Sequence, residues 1–172
     1  MMIRLASKVQ KDSIVDGPGL RTVIWTQGCK HACPGCHNPQ THDINGGFEV
    51  EVDCIIEEIR NSRLQKGITL SGGEPFLQPI PLAKIAEEAQ KLGLDVWCYT
   101  GFRFEWLMDE RNPLFNENMN LLRHIDVLVD GKFVLAKKDY RLKFRGSSNQ
   151  RIIDVKKSLS DGSICLHPYN EL

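Results

Sequence analysis

Short apolar runs alternate along this chain with segments in which apolar residues recur every three or four positions, as on one face of a helix. Runs rich in β-branched and aromatic residues predict strands, and they lie at residues 22–27, 67–70, 95–99, 125–129 and, last, 150–155. The first run ends at Gly28, where a turn is expected. The hydrophobic pattern therefore predicts four strands and a fifth near the end of the chain.

Helices are predicted in the stretches between these runs. A helix that Asp53 is expected to cap has three apolar residues on one face: Ile55, Ile56 and Ile59. A second helix begins near Pro81, ends before Gly93 and has four apolar residues on one face: Leu82, Ile85, Ala86 and Ala89. Residues 102–123 predict helical pieces, broken at Asn112-Pro113.

The alternation of strands and helices predicts an α/β fold with a parallel sheet. A complete eight-unit β/α barrel needs about 250 residues, and this chain has 172. We therefore expect a partial, open β/α barrel. The chain has no internal repeat and no linker-like tract, so a single domain over residues 1–172 is predicted.

Composition narrows the function. Lys plus Arg equals Asp plus Glu at 22 each, so no overall field draws the chain to nucleic acid or to an anionic membrane. No apolar run is long enough to span a bilayer, and the N-terminus lacks a signal-peptide core. These features predict a cytoplasmic protein. In that reducing compartment, six cysteines suggest metal or redox chemistry rather than disulfides.

Three of the cysteines lie within eight residues, in the loop after the first predicted strand. Cys29, Cys33 and Cys36 are thiolate donors of the kind that iron–sulfur clusters prefer. Three protein ligands on a 4Fe–4S cluster leave one iron open to another molecule.

Two alternatives to this reactive cluster remain open on spacing alone. A structural zinc site would add His31 or His37 as a fourth ligand, and would make the protein a zinc-stapled binding module. A ferredoxin-type electron carrier would need a fourth cysteine. The remaining cysteines are better explained as small core residues: Cys54, Cys98 and Cys165.

Unusual residues follow each of the first four predicted strands. The cysteines follow the first, Ser71–Pro75 (SGGEP) the second, Tyr99-Thr100-Gly101 the third and Asp130-Gly131-Lys132 the fourth. Because the carboxyl ends of parallel strands share one edge, these segments are expected to form one site.

The C-x3-C-x2-C spacing, followed by SGGEP, resembles the radical S-adenosylmethionine (SAM) superfamily. Within it, residues 16–21 (DGPGLR), 27–29 (QGC) and 36–38 (CHN) resemble the activating enzymes of glycyl-radical enzymes. Residues 126–133 and 144–151 narrow the resemblance to the activases of anaerobic (class III) ribonucleoside-triphosphate reductases. The resemblance covers residues 16–155.

Two departures bear on this resemblance. Many superfamily members have an aromatic residue just before the third cysteine, whereas this chain has Gly35. A residue other than an aromatic one at this position fits the reductase activases. The end of the third predicted strand, Cys98-Tyr99-Thr100-Gly101, lacks the acidic residue that the pyruvate formate-lyase activases have there. An activase of that second type is therefore the disfavoured alternative within the superfamily.

The resemblance implies an oxidoreductase and its partners. Cys29, Cys33 and Cys36 would hold one 4Fe–4S cluster, and its electron would cleave SAM to methionine and a 5′-deoxyadenosyl radical. That radical would take a hydrogen atom from a glycine of anaerobic ribonucleoside-triphosphate reductase. A flavodoxin- or ferredoxin-like protein would supply the electron, and neither nucleic acid nor membrane would take part. Arg21 and Arg145 are candidates for docking the partner or for anchoring SAM.

The resemblance also implies SAM-binding residues. Gly72 and Gly73 would let the backbone approach the methionyl amino group, and Glu74 would accept hydrogen bonds from it. The other SAM-binding residues are expected at two further loops: Gly35, His37, Asp130 and Lys132. A plain Asp-Gly turn with a surface lysine is the alternative for the last pair.

Overall fold

The computed structural model describes residues 1–171 and places its strands in one sheet. The strands are β1 (Met2–Leu5), β2 (Gln10–Ser13), β3 (Arg21–Thr26), β4 (Phe48–Glu51), β5 (Gly67–Gly72), β6 (Asp95–Tyr99), β7 (Val127–Asp130) and β8 (Arg151–Asp154). The helices are α1 (Val52–Asn61), α2 (Pro79–Lys91), α3 (Phe104–Leu107), α4 (Phe115–Leu122) and α5 (Val155–Asp161). The sheet order is β4-β1-β3-β5-β6-β7-β8, and β2 also pairs with β3.

The centre of the sheet is parallel. Strands β3, β5, β6 and β7 are parallel neighbours, with Trp25 opposite Ser71, Leu70 opposite Cys98 and Tyr99 opposite Val129. Their carboxyl ends therefore share one edge. Within the described residues β4 and β8 are not paired with each other, so the predicted open β/α barrel is confirmed. The single-domain prediction for residues 1–172 stays a prediction, and Leu172 lies outside the described residues.

The remaining strands are antiparallel, which the prediction of a parallel sheet did not include. Strand β8 is antiparallel to β7, with Leu128 opposite Ile153. The connection between them, residues 131–150, contains only one short 3-10 turn, whereas a parallel neighbour requires a crossover, usually helical. Strands β1, β2 and β4 were not predicted. Two of them are polar or exposed along most of their length, and their sequences are QKDS and FEVE.

The two faces of the sheet are covered differently. Ile24, Leu70 and Leu128 point to the face on which α1, α2 and α4 build the main core. The opposite face presents Trp97 and smaller side chains, and is covered in part by Phe144 and Tyr169. One face is thus sealed by helices, and the other leaves room for a cleft.

The helices deviate little from the sequence pattern. Helix α1 begins directly after β4, so Glu51 occupies the N-cap position and the predicted cap at Asp53 is wrong. Asp53 lies instead in the first turn, where its charge interacts favourably with the helix dipole. Helix α2 begins at Pro79, and Gly93 after it adopts the left-handed conformation with φ +79°. Within residues 1–171, no helix is long and apolar enough to span a bilayer.

Candidate active site

A cleft of about 410 Å³ opens at the carboxyl edge of the parallel strands. The structure brings together there the four segments that the sequence singled out. The cleft is lined by the three cysteines after β3, residues 71–73 at the end of β5, residues 99–101 at the end of β6 and residues 131–133 after β7. A second contribution comes from residues 144–146 of the β7–β8 connection.

Local hydrogen bonds shape the cysteine loop. The N–H groups of Gly28 and Cys29 donate to the carbonyls of Thr41 and His42 at 2.7 and 3.1 Å. The Sγ of Cys36 lies 3.4 Å from the backbone N of Asn38 and 3.4 Å from His42 Nε2. Hydrogen bonds of this kind tune the ligands of iron–sulfur clusters. Sequence reasoning left His42 unassigned.

The three thiols are half-buried and line one cleft. Burial raises the pKa of the Cys29 thiol, and the negative charges of Glu74 and of the other two cysteines raise it further. Three thiolates at this place need a compensating positive charge, which bound iron supplies. Among residues 1–171, no three His, Cys, Asp or Glu side chains are grouped closely enough for a single metal ion.

Glu74 connects three of the segments around the cleft. Its side chain is 1% exposed and accepts hydrogen bonds from Thr100 Oγ1 and from the backbone N–H of Gly101 and Phe76, at 2.7–2.9 Å. His31 Nε2 lies 2.7 Å from the same carboxylate. The carboxylate is thus surrounded by donors of the protein itself. These contacts give Glu74 a positioning role, and its predicted contact with the amino group of SAM stays a prediction.

His31 is held firmly by this arrangement. Its ring packs edge-on against Phe102 with centroids 4.6 Å apart. A Cβ on Gly101 would lie 2.5 Å from the imidazole, so only glycine leaves room for the ring. Because His31 lies between Cys29 and Cys33 in the chain, the Glu74 contact orients the cysteine loop from within.

The glycines of the SGGEP segment permit a close approach, but the approaching group is the protein backbone. Gly72 has φ +121°, and a Cβ there would lie 2.2 Å from the Thr26 carbonyl oxygen. A Cβ on Gly73 would lie 2.4 Å from the carbonyl oxygen of Gly28. Both glycines still line the cleft. They hold the end of β5 against the base of the cysteine loop.

Replacing Gly73 by alanine is expected to separate β5 from the cysteine loop, because the Cβ meets backbone that cannot rotate away. We expect destabilisation of about 3 kcal/mol, the upper end of the range for overpacking, because the clash is with backbone. Gly93→Ala is the control, since it adds a methyl group to open space and costs only about 1 kcal/mol for its left-handed backbone. Denaturant unfolding of both variants measures the difference. Equal losses would contradict this account.

Of the other residues predicted to bind SAM, two line the cleft and two do not. Lys132 and His37 line it, and the His37 ring lies 5.1 Å from that of Phe133. Gly35 lies in the same loop but outside the cleft lining, against Leu135. Asp130 is fully buried and does not line the cleft.

The surroundings of Asp130 explain its burial. Its carboxylate accepts from the Phe104 N–H at 2.8 Å and from Arg151 at 2.5 and 3.0 Å. The predicted ribose contact stays a prediction, and the carboxylate is occupied by donors of the protein itself. Asp130 ties the end of β7 to α3 and β8.

The structure corrects the expectation for the remaining cysteines and bears on the zinc alternative. Only Cys98 is a core residue, because Cys54 is exposed and Cys165 is partly exposed. The zinc alternative needed His31 or His37 beside the three thiols. His31 instead faces Glu74, and His37 is exposed next to Phe133.

The two arginines that were candidates for docking the partner or for binding SAM are placed differently. Arg145 and Asp16 line the cleft, and the Nε of Arg145 is buried without a hydrogen-bond partner among the described residues. Arg21, a candidate for docking or for binding SAM, is fully buried instead. It bonds Thr69 and Asp95 inside the barrel and lies over the ring of Trp97. Only tertiary structure distinguishes these arginines.

Comparison with known proteins assigns the chain to a class. A family model described as "4Fe-4S single cluster domain" matches residues 15–153, so the chain is an iron–sulfur protein with a single 4Fe–4S cluster. Anaerobic ribonucleoside-triphosphate reductase-activating proteins match over 146 residues, 80% of this chain. The Salmonella typhi protein is 43% identical with 90% of its length covered, that of Escherichia coli K12 40% with 90%, and that of Enterobacteria phage T4 32% with 86%.

The chain belongs to the family of anaerobic ribonucleoside-triphosphate reductase-activating proteins. The predicted membership, with the enzyme class and the 4Fe–4S and SAM cofactors that it implied, is thereby confirmed. Among solved structures, QueE from Escherichia coli aligns with 59% of this chain and 53% of its own, at 15% identity and a TM-score of 0.48.

Proposed function

We propose that this protein activates anaerobic ribonucleoside-triphosphate reductase by oxidising one glycine of that enzyme to a glycyl radical. The observation that carries the proposal is the convergence of Cys29, Cys33 and Cys36 with the ends of β5, β6 and β7 on one open cleft. Membership of the activating-protein family supports the identity of the substrate.

Cys29, Cys33 and Cys36 are the proposed cluster ligands. The donor set fits, because all three thiols are accessible from the same cleft and each can bind a different iron atom. When bound, the cluster supplies the electron that cleaves SAM to methionine and a 5′-deoxyadenosyl radical. Asn38 and His42 would hold Cys36 in place through the contacts to its sulfur.

SAM would occupy the rest of the cleft, between the cysteine loop and the β7–β8 connection. Lys132 and Arg145 are the cationic side chains that line it, and a carboxylate is the group that such cations bind. The terminal nitrogens of Arg145 donate to Gln150 and Asn170, so its Nε is the one donor left for a ligand among the described residues. A buried donor without a partner is costly. Gly72, Gly73, Gly35 and His37 would contribute backbone and ring surface beside them.

The proposed reaction at the partner is a single hydrogen-atom transfer. A Cα–H bond of the glycine breaks and a C–H bond forms at C5′, giving 5′-deoxyadenosine and the glycyl radical. The protein's part is positioning: the open side of the cleft would have to admit an extended segment of the reductase. A flavodoxin- or ferredoxin-like donor would return the cluster to its reduced state.

The cytoplasm is the proposed location. Support comes from the cysteines, since thiol ligands require a compartment that keeps them reduced. The six cysteines are free thiols in the structure.

An anaerobic assay tests the proposed function. Iron-reconstituted protein, dithionite, SAM and the reductase of the same organism are combined, and both 5′-deoxyadenosine and the glycyl radical are followed, the latter by electron paramagnetic resonance. We expect the two to appear together. 5′-Deoxyadenosine without a radical on the reductase would contradict the assigned substrate. Zinc without iron in the protein as purified, together with no product, would favour a zinc-stapled module.

A further inference from the structure

The segment 131–150, called here the basic wall, joins β7 to β8 and forms one side of the cleft. Lys132, Phe133, Leu142, Phe144 and Arg145 from this segment line the cleft. The basic wall contains six cationic residues and a single acidic one, Asp139. The whole chain has 22 of each sign, so this excess of positive charge is local.

The charge of the basic wall is largely uncompensated. Arg141 bonds Asp139 at 2.8 Å. In the part of the chain that the structure describes, no other cation of the wall has a carboxylate within salt-bridge distance. Lys137 and Lys143 are exposed, and Lys138 lies 4.5 Å above the ring of Tyr140. The field of these side chains therefore extends into solvent.

Exposed apolar side chains are interspersed with these charges. Tyr140 is 87% exposed, Leu135 53% and Val134 36%. Exposed tyrosine, arginine and aliphatic side chains beside each other are typical of a protein-binding surface. A surface that only solvates the protein, or that binds phosphates alone, has no need of these apolar residues.

The basic wall also contacts the cysteine loop. Leu135 packs against Gly35, where a Cβ would lie 2.9 Å from the leucine Cδ1. The ring of Phe133 lies 5.1 Å from that of His37. A protein seated on the wall would therefore be adjacent to the mouth of the cleft.

We infer that the basic wall is the docking surface for an acidic, partly apolar face of the protein whose glycine is oxidised. This inference rests on the proposed function and adds the surface through which the partner is recognised. Opposite charge accelerates the encounter and sets the register of the partner, so that its glycine segment faces the cleft. The exposed apolar residues then contribute the contacts that hold the complex.

Charge reversal of two exposed lysines tests the inference. The wall variant carries Lys137→Glu and Lys143→Glu. The control carries Arg123→Glu and Lys157→Glu, which make the same change in net charge. Arg123 precedes β7 and Lys157 lies in α5 after β8, so both lie toward the amino edge of the parallel strands, opposite the cleft.

Binding of each reconstituted variant to the anaerobic reductase is measured anaerobically at 50 and 300 mM salt. We expect the wall variant to bind about tenfold or more weakly at low salt, within the range of electrostatic steering, and the control to bind as wild type. The difference in affinity between the wall variant and wild type should shrink at high salt, because salt screens the charges and shortens the distance over which they interact. Dithionite-driven SAM cleavage without the reductase should be the same in all three proteins.

Specific outcomes would overturn the inference. Equal weakening by the wall variant and the control would show that only net charge matters. Equal binding by all three proteins would show that the partner docks elsewhere. If wild-type protein bound a short DNA duplex as tightly as the reductase, the surface would be a nucleic-acid site. If the wild-type protein did not cleave SAM, the result would count against the proposed function. If it cleaved SAM and the wall variant still bound the reductase normally, the result would count against this inference alone.

A milder variant separates charge from folding. Lys137→Gln with Lys143→Gln removes two charges without introducing new ones, and we expect its affinity for the reductase to be intermediate. Melting temperatures within experimental error of wild type would show that both wall variants are folded. An affinity of the glutamine variant below that of the glutamate variant would contradict the electrostatic basis.

Discussion

Replacing Cys36 by alanine is expected to abolish 5′-deoxyadenosine formation and to leave less iron bound after reconstitution. Two thiolates cannot hold a 4Fe–4S cluster that needs three protein ligands, and the contacts of Asn38 and His42 to the sulfur vanish with it. The measurements are iron and sulfide content, the visible absorption of the cluster and the yield of 5′-deoxyadenosine with dithionite and SAM.

The control for this variant is Cys54→Ala. Cys54 is an exposed residue of α1, so its removal is expected to change neither iron content nor product. A Cys36→Ala protein that kept its cluster and its activity would show that the ligands lie elsewhere. Replacing Cys29 or Cys33 by alanine is expected to cause the same loss of bound iron and of 5′-deoxyadenosine formation.

Replacing Glu74 by alanine is expected to have the second largest effect. The carboxylate is the common acceptor of His31, Thr100, Gly101 and Phe76, and it is 1% exposed. Its removal leaves these donors unsatisfied in the interior, which costs about 3 to 5 kcal/mol of the free energy of unfolding. Because His31 then loses its anchor, the cysteine loop should also bind the cluster less completely.

Denaturant unfolding and iron content after reconstitution measure the two effects of this change. Glu58→Ala is the matched control on the exposed side of α1, and it should change stability by no more than about 0.5 kcal/mol. Glu74→Gln keeps the shape but sets an amide N–H group against the surrounding donors, so an intermediate loss is expected. A Glu74→Ala protein as stable as wild type and fully loaded with iron would refute the positioning role.

Much of the central fold was predictable from local pattern. The strands β3, β5, β6 and β7 are apolar runs, and the actual strand bounds differ from the predicted ones by two residues or fewer. Their carboxyl ends could be aligned in advance because parallel strands share an edge. The small antiparallel strands were not predictable in this way. Strand β2, for example, is Gln10–Ser13 with mainly exposed side chains, and pairing with β3 alone makes it a strand.

The composition of the cleft was predictable, whereas the direction of individual side chains was not. Glu74 and Asp130 both follow strands and both carry a charge suited to a ligand, yet both turn into the protein and bind its own donors. Arg21 was equally ambiguous until Asp95 and Thr69, distant in sequence, were found beside it. A sequence places a residue at a strand end, but its partners come from other segments.

The closure of the cysteine loop has a consequence for the entropy of cofactor insertion. The loop leaves β3 at Thr26 and returns through β4, and β1 lies between these strands and pairs with both. Backbone hydrogen bonds from Gly28 and Cys29 to Thr41 and His42 narrow the loop further. The conformational entropy of loop closure is therefore lost when the sheet forms. Because none of this pairing involves a cluster-binding thiol, we expect iron binding to cost little further loop entropy, unlike in a zinc finger, in which metal and fold must form together.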